Sequence, residues 1–301
     1  MATTREWCDA DFFAGLRRLV ARRRRQQARR LAAGPRSSPL GASRQFQDRR
    51  AYVPGDDYRS IDWHAYARLN KRTIRLYEDL PELHCHVLVD DSVSMTGPYP
   101  AKARLARQVA VALAYTALEQ GLRVSLYRFA DRVVGLVRPG RGLGHLDRLV
   151  TALDGMGGGT PGDPLRALGA FRPGGGGQRH AVVVISDCLG PQPERIAGGL
   201  RRAAARWGEL DLVQILHPEE RRPPWRGRWR LQGVEGDGLA LCELSAEDIA
   251  RYEATVQNWC AEIQALNRHD AVQAQRWDTD DHFDERLLGF LQHSRCLRES
   301  A

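Results

Sequence analysis

The sequence predicts an α/β fold: a doubly wound, mostly parallel sheet with helices on both faces, joined to an N-terminal helix and a separate short segment. Three observations lead there. Residues 86–90, 181–186 and 210–216 are short apolar runs with little polar alternation, as in Ala-Val-Val-Val-Ile-Ser at 181–186. Strands covered on both faces read this way because neither side meets water. Helical stretches separate these runs, which lets each strand return parallel to the last. At 301 residues, 43% hydrophobic and 27% charged, the chain has ordinary globular composition and the length for one large α/β domain or two modest ones.

The elements follow in order. Residues 12–33 place Phe12, Phe13, Leu16, Leu19, Val20 and Leu31 near helical spacing, opposite an arginine-rich face. Residues 34–43, rich in Gly, Pro and Ser, read as a linker, and Val53-Pro54-Gly55-Asp56-Asp57 as a turn. Alternation predicts a strand at 73–78. Beyond residue 84 come a strand at 86–90, a helix at 101–120 and paired strands at 123–129 and 132–137, turning at Ala130-Asp131. A helix at 143–153, a glycine-rich loop at 155–162 and a helix at 164–171 precede the strand at 181–186. A helix at 194–206, the strand at 210–216, a hairpin at 226–244 with its tip at Gly236-Asp237-Gly238, and a helix at 246–267 follow. A last strand at 272–277 and a helix at 283–292 close the chain. The expected divisions are 1–40, 41–82 and 83–301.

Charge and composition exclude several functions. Residues 1–50 carry 13 arginines against four acidic residues, a surplus of nine, so the remaining 251 residues sum to −1 out of the net +8. Basicity is therefore an N-terminal property. Only Lys71 and Lys102 are lysines, and neither stands in the G-K-[ST] setting of a phosphate-binding loop. There is no G-x-S-x-G, no H-E-x-x-H and no G-x-G-x-x-G after a strand. No run reaches the 18 or so apolar residues of a membrane span. The N-terminus lacks a signal-peptide pattern, and the six scattered cysteines read as reduced thiols, so the expected compartment is the cytoplasm.

Asp90-Asp91-Ser92-Val93-Ser94 ends the first core strand and fits D-x-S-x-S. Ligands of doubly wound sheets bind at the carboxyl ends of strands, and a carboxylate with two hydroxyls supplies the hard oxygens that Mg²⁺ accepts. Thr160 follows Gly157-Gly158-Gly159 on a glycine-rich loop, and Asp187 ends the strand at 181–186. Asp90, Ser92, Ser94, Thr160 and Asp187 thus fall in three loops on one predicted edge. This order resembles the von Willebrand factor A domain with its metal-ion-dependent adhesion site, over residues 83–216. The resemblance implies that those five residues hold Mg²⁺ (or Mn²⁺), some through water, with a position left for an acidic residue of a client protein. Asp91 departs from the small residue usual there, and its expected role is hydrogen bonding within the loop.

Arg49-Arg50-Ala51-Tyr52-Val53-Pro54-Gly55-Asp56-Asp57-Tyr58-Arg59-Ser60-Ile61-Asp62-Trp63, followed by Ala67-Arg68, resembles the signature of the domain of unknown function 58 family, whose members join it to a von Willebrand A-like domain. Asp56, Asp57 and Asp62 beside Arg49, Arg59 and Arg68 read as a charge network around a packed Trp63, with partner docking as the rival reading. The family resemblance implies a non-enzymatic module working with a MoxR-type AAA+ ATPase in assembling another complex.

Other features carry less. Arg17, Arg18, Arg22 to Arg25, Arg29 and Arg30 suit a nucleic acid or an anionic membrane surface, but a solvated helix face is the preferred reading because the basic stretch lacks interleaved aromatics. His84-Cys85-His86 cannot chelate together, because strand alternation puts both histidines on one face and the cysteine on the other. Asp278, Asp280, Asp281 and His282 are expected to cap the last helix. The rival functions are a nucleic-acid-binding adaptor resting on residues 17–30 and a metal-dependent hydrolase, for which no general base is evident.

Overall fold

The computed structural model describes residues 7–32, 44–53, 56, 61–69, 72–79, 83–159, 161–174, 179–190, 193–233 and 238–297. In chain order its elements are α1 (Ala10–Ala32), β1 (Arg44–Ala51), α2 (Trp63–Leu69), β2 (Thr73–Asp79), β3 (Leu83–Asp90), α3 (Val93–Thr96), α4 (Pro100–Glu119), β4 (Arg123–Phe129), β5 (Val133–Gly140), α5 (Leu146–Asp154) and α6 (Pro164–Ala170). They continue with β6 (Arg179–Ser186), α7 (Pro193–Trp207), β7 (Glu209–Leu216), α8 (Pro218–Arg221), β8 (Gly227–Gln232), β9 (Leu239–Leu244), α9 (Ala246–Gln264), β10 (Val272–Asp278) and α10 (Phe283–His293). Two units emerge: Met1–Arg30 with Leu83–Ala301, and Leu31–Glu82.

The apolar runs become the interior strands of a six-stranded sheet of order β10-β7-β6-β3-β4-β5. Every neighbouring pair is parallel except β4 and β5, the expected hairpin, whose antiparallel partner lies at the edge. Alternation along β3 divides the core. Cys85, Val87 and Val89 pack toward α4, α5 and α10, while Leu88 joins Val182, Val184, Leu210 and Leu212 under α6, α7 and α9. From Val109 to Leu118 every residue of α4 is buried. A helix apolar all round can only be an interior one, and each fully buried Val or Leu contributes about 1.5–3 kcal/mol.

The α1 helix lays Leu16, Leu19 and Val20 into the α4 side of this core. Arg17, Arg18, Arg22, Arg24 and Arg25 are exposed, but Arg23 is buried and donates to the Leu297 carbonyl at 2.8 Å. The solvated-face reading therefore holds for five described arginines and fails at Arg23. No helix among the described residues is long and apolar enough to cross a membrane.

In the smaller unit, β1 and β2 form an antiparallel pair running from Arg44 opposite Asp79 to Ala51 opposite Thr73, with a bulge between Phe46 and Asp48. The sequence reading did not foresee β1. Its residues Arg-Gln-Phe-Gln-Asp-Arg-Arg-Ala have no apolar alternation, and the strand is defined by its partner. Ile61, Ala65 and Ile74 are buried.

The expected caps of α10 are not found. His282 stands at the cap position without a side-chain bond, while Asp278 pairs with Arg221 at 2.6 Å and Asp281 with Arg286 at 2.8 Å. Besides these arginines, Asp281 Oδ2 accepts the Asp278 amide at 2.7 Å, a bond that closes the turn before the helix. The hairpin appears as β8 and β9, with Gly233 N donating to Gly238 O; Gly236 and Asp237 lie outside the described residues.

Candidate metal centre

Asp90 is the last residue of β3, where the strand delivers it to the carboxyl edge of the sheet. Its Oδ1 accepts the Ser92 amide at 2.9 Å and its Oδ2 accepts Ser186 Oγ at 2.5 Å. This bond folds the following turn back, so that Ser92 Oγ and Ser94 Oγ lie 3.0 Å apart. Asp187 emerges from the neighbouring β6, with Oδ1 accepting the Leu189 amide at 3.0 Å. Cys188 next to it has φ 53°, a left-handed conformation costly for a residue with a side chain and common at functional turns. Burial, and then the charge of Asp187, push the Asp90 carboxyl above the ordinary carboxylate range. A buried carboxyl whose neighbour is a second acid is short of positive charge.

Sequence reasoning missed two groups here. Lys102, in the first turn of α4, is fully buried and its Nζ donates to Asp187 Oδ2 at 2.8 Å, Glu220 Oε1 at 2.7 Å and the Ser94 carbonyl at 3.1 Å. Burial opposes its charge, but the carboxylates of Asp187 and Glu220 outweigh that and hold the ammonium above its ordinary range. Glu220 comes from α8, beyond the carboxyl end of β7, where its other oxygen accepts the His217 amide at 2.8 Å. Burial raises its proton affinity as well. The only available signal was that Lys102 is one of two lysines in an arginine-rich chain; nothing marked Glu220.

The glycine-rich loop closes against the same turn. Asp91 hydrogen-bonds at the loop as expected, its Oδ1 accepting the Gly157 amide at 3.0 Å, and its Oδ2 also accepts from the guanidinium of Arg128 on β4 at 3.1 Å. Gly159 has φ 43°, and a Cβ there would stand 2.6 Å from Thr96 Oγ1, so only glycine lets this loop approach α3. Thr160, the next residue, lies outside the described residues.

Asp90, Ser92, Ser94 and Asp187 are thus brought to one edge, and all offer hard oxygen donors. Three acids (Asp90, Asp187 and Glu220) lie here with one ammonium, which pairs with two of them, leaving a deficit of positive charge that a divalent cation would fill. The residues present fit such an ion.

The signature residues form their own arrangement in the smaller unit. Asp56 pairs with Arg50 at 2.6 Å, holding its carboxyl below the ordinary range, and also accepts the Val53 amide at 3.0 Å. Asp62 is buried and accepts the Ala65 amide at 3.1 Å, capping α2. Tyr52 donates its amide to the Arg72 carbonyl, and Arg68 is exposed. Trp63 is not packed: it is 58% exposed and meets Tyr66 edge-on at 6.2 Å. It opens α2, while Ile61 just before the helix and Ala65 within it are buried. Gly55, Asp57 and Arg59 and the side chain of Arg49 lie outside the described residues.

Two further clusters among the described residues bring three metal-capable side chains within 4.8 Å of one another: His84, His86 and His180, and Asp278, Asp280 and Asp281. Either could hold a divalent ion, although arginines already serve Asp278 and Asp281. His84 and His86 do share a strand face, as alternation requires, with Cys85 in the opposite core. Their third partner is an imidazole from β6.

A family model described as "Protein of unknown function DUF58" matches residues 48–259. The uncharacterized proteins Rv1480 of Mycobacterium tuberculosis and Mb1516 of Mycobacterium bovis are each 31% identical over 214 residues, 68% of this chain and 63% of theirs. The chain therefore spans somewhat less than two thirds of the length of these relatives. Among solved structures, BatB from Bacteroides thetaiotaomicron aligns at TM-score 0.42 and 15% identity, over 70% of this chain and 97% of that one. A von Willebrand factor type A protein from Catenulispora acidiphila aligns at 0.40 and 9%, over 75% and 45%. Proximal thread matrix protein 1 from the mussel byssus, with a zinc-occupied MIDAS motif, aligns at 0.37 and 13%, over 70% and 46%. By the match across most of its length, the chain belongs to the DUF58 family.

Proposed function

From that membership and the geometry of the β3 edge, we propose that this protein is a non-catalytic, metal-dependent protein-interaction module. Asp90, Ser92, Ser94, Thr160 and Asp187 would hold Mg²⁺ (or Mn²⁺), and the ion when bound supplies an open position for a carboxylate of a client. The observation that carries this reading is the convergence of two buried carboxylates and two hydroxyls at one strand edge, with more negative than positive charge. Asp90 and Asp187 supply charge, Ser92 and Ser94 supply neutral donors, and Asp91 locks the neighbouring loop in place.

The partner proposed from the family resemblance is a MoxR-type AAA+ ATPase, in the cytoplasm, acting on a larger complex. The test is an affinity capture from native cell extract with Mg²⁺, with EDTA, and with Asp90→Ala as bait. Recovery of an AAA+ ATPase only by the unaltered protein with Mg²⁺ is the expected result. Equal recovery in all three conditions would move the contact elsewhere and sink the adhesion mechanism.

A further inference from the structure

Four residues before Asp90 on β3, about 13 Å along the strand, the same sheet carries a second convergence of donors. His84 and His86 project toward the α6 side, and His180 of β6 pairs with His84 across the parallel ladder. His86 Nε2 and His180 Nδ1 are 3.1 Å apart, and one ring nitrogen of each of the three histidines lies within 4.8 Å of the others. Two nitrogens bound tetrahedrally to one zinc-sized ion at about 2.0–2.1 Å would stand about 3.3–3.4 Å apart. The rings therefore need little motion to close on an ion.

We propose that His84, His86 and His180 form a second metal site, all-nitrogen, which takes a borderline transition-metal ion of the Zn²⁺ class. This is a different chemistry from the β3 edge. Imidazole favours such ions over Mg²⁺, and the oxygen set at Asp90 has the opposite preference.

The surroundings supply the groups that orient metal-bound imidazoles. The other nitrogen of His86, Nδ1, lies 3.3 Å from Tyr127 Oη, and His84 Nε2 lies 2.8 Å from Ser125 Oγ, both on β4. Outer hydroxyls of this kind fix ring orientation, and their loss typically weakens metal binding about 10–100-fold. His84 and His86 are buried and His180 is half-buried, so entry is from the His180 side. A cleft of about 460 Å³ is lined by Tyr127 and Phe171, whose rings each meet His86 at 5.8 Å, together with Asp131, Arg132, Arg166 and Arg172. An ion here would tie β3 to β6, with its fourth position left for water or another small ligand.

The test is titration of the metal-free full chain with Co²⁺ in excess Mg²⁺, followed by visible absorption. Tetrahedral nitrogen ligation gives intense bands, whereas six oxygens give weak ones. We expect one equivalent of intense absorption in the unaltered chain and in Asp90→Ala, its loss in His180→Ala, and roughly tenfold weaker binding in Tyr127→Phe. His180 is half-buried, so its substitution leaves the chain folded, which thermal unfolding checks; His180→Gln serves if it does not. Absence of the intense bands, or their persistence without His180, would reduce the cluster to an internal hydrogen-bond network. Their loss in Asp90→Ala alone would assign the ion to the β3 edge.

Discussion

Replacing Lys102 by Met tests whether an internal ammonium balances the β3 edge. The side chain is fully buried, and three acceptors at 2.7–3.1 Å satisfy its charge. Met keeps most of the volume and removes only the cation, so packing loss is small. What remains are Asp187 and Glu220 without their partner. Breaking a buried ion pair from one side costs about 3–5 kcal/mol. For a domain of this size about 2–4 °C accompanies each kcal/mol, so the variant in EDTA should melt roughly 10 °C lower. The same change removes a repulsion. A unit charge within about 5 Å repels a divalent ion by several kcal/mol even at an effective dielectric of 20. Mg²⁺ should therefore bind the variant at least roughly tenfold tighter, each tenfold adding about 1.4 kcal/mol of stabilisation at fixed excess ion. Scanning calorimetry of both proteins, in EDTA and in Mg²⁺, reads the two effects together. Equal melting in EDTA, or a Mg²⁺ gain no larger in Lys102→Met than in the unaltered chain, would refute the charge-balance account.

Other expectations follow from the same structure. Because Asp90 binds its proton more tightly than an ordinary carboxylate, protons compete with the ion as pH falls; Mg²⁺ affinity measured calorimetrically should rise with pH toward neutrality, and Asp90→Asn should weaken it and flatten that rise. Asp211, on β7, has its pKa pushed up to about 6 by burial although Ser294, Arg295 and Cys296 donate to it. Between its ordinary 3.8 and about 6 the folded state holds the extra proton, so stability falls as pH rises through that window, by up to ~3 kcal/mol. Denaturant unfolding should show this slope reduced in Asp211→Asn. A Cβ on Gly162 would strike the backbone of Ala130 and Asp131, whereas Gly158 faces open space. Thermal unfolding should find Gly162→Ala destabilised by about 1–3 kcal/mol and Gly158→Ala nearly unchanged.

The strands of the main sheet were legible because burial on both faces leaves a continuous apolar run, a pattern that local sequence carries by itself. The D-x-S-x-S turn and Asp187 were legible for a related reason: strand ends can be read along the chain, and the fold class places them on one edge. Where pairing creates the element, the local pattern was silent. The β1 strand has only Phe46 and Ala51 as apolar residues and exists through its register with β2. Trp63 was expected to pack within a network of Asp and Arg side chains, but a small unit with Ile61, Ala65 and Ile74 already inward leaves it at the start of α2, facing out.

By itself, then, the sequence determined the layered α/β architecture, the family and the carboxylate and hydroxyls at the carboxyl end of β3. Only the tertiary structure decided what surrounds them. Lys102 lies eight residues beyond Ser94 and Glu220 a further 118 beyond Lys102, yet their side chains meet in one buried cluster. His180 meets His86 across 94 residues through strand register. Local spacing reports which face a side chain takes, because strand and helix periods are short. Which charge or ring waits on the other side is set by strand order and helix packing, and that neighbourhood is what gives these groups their chemistry.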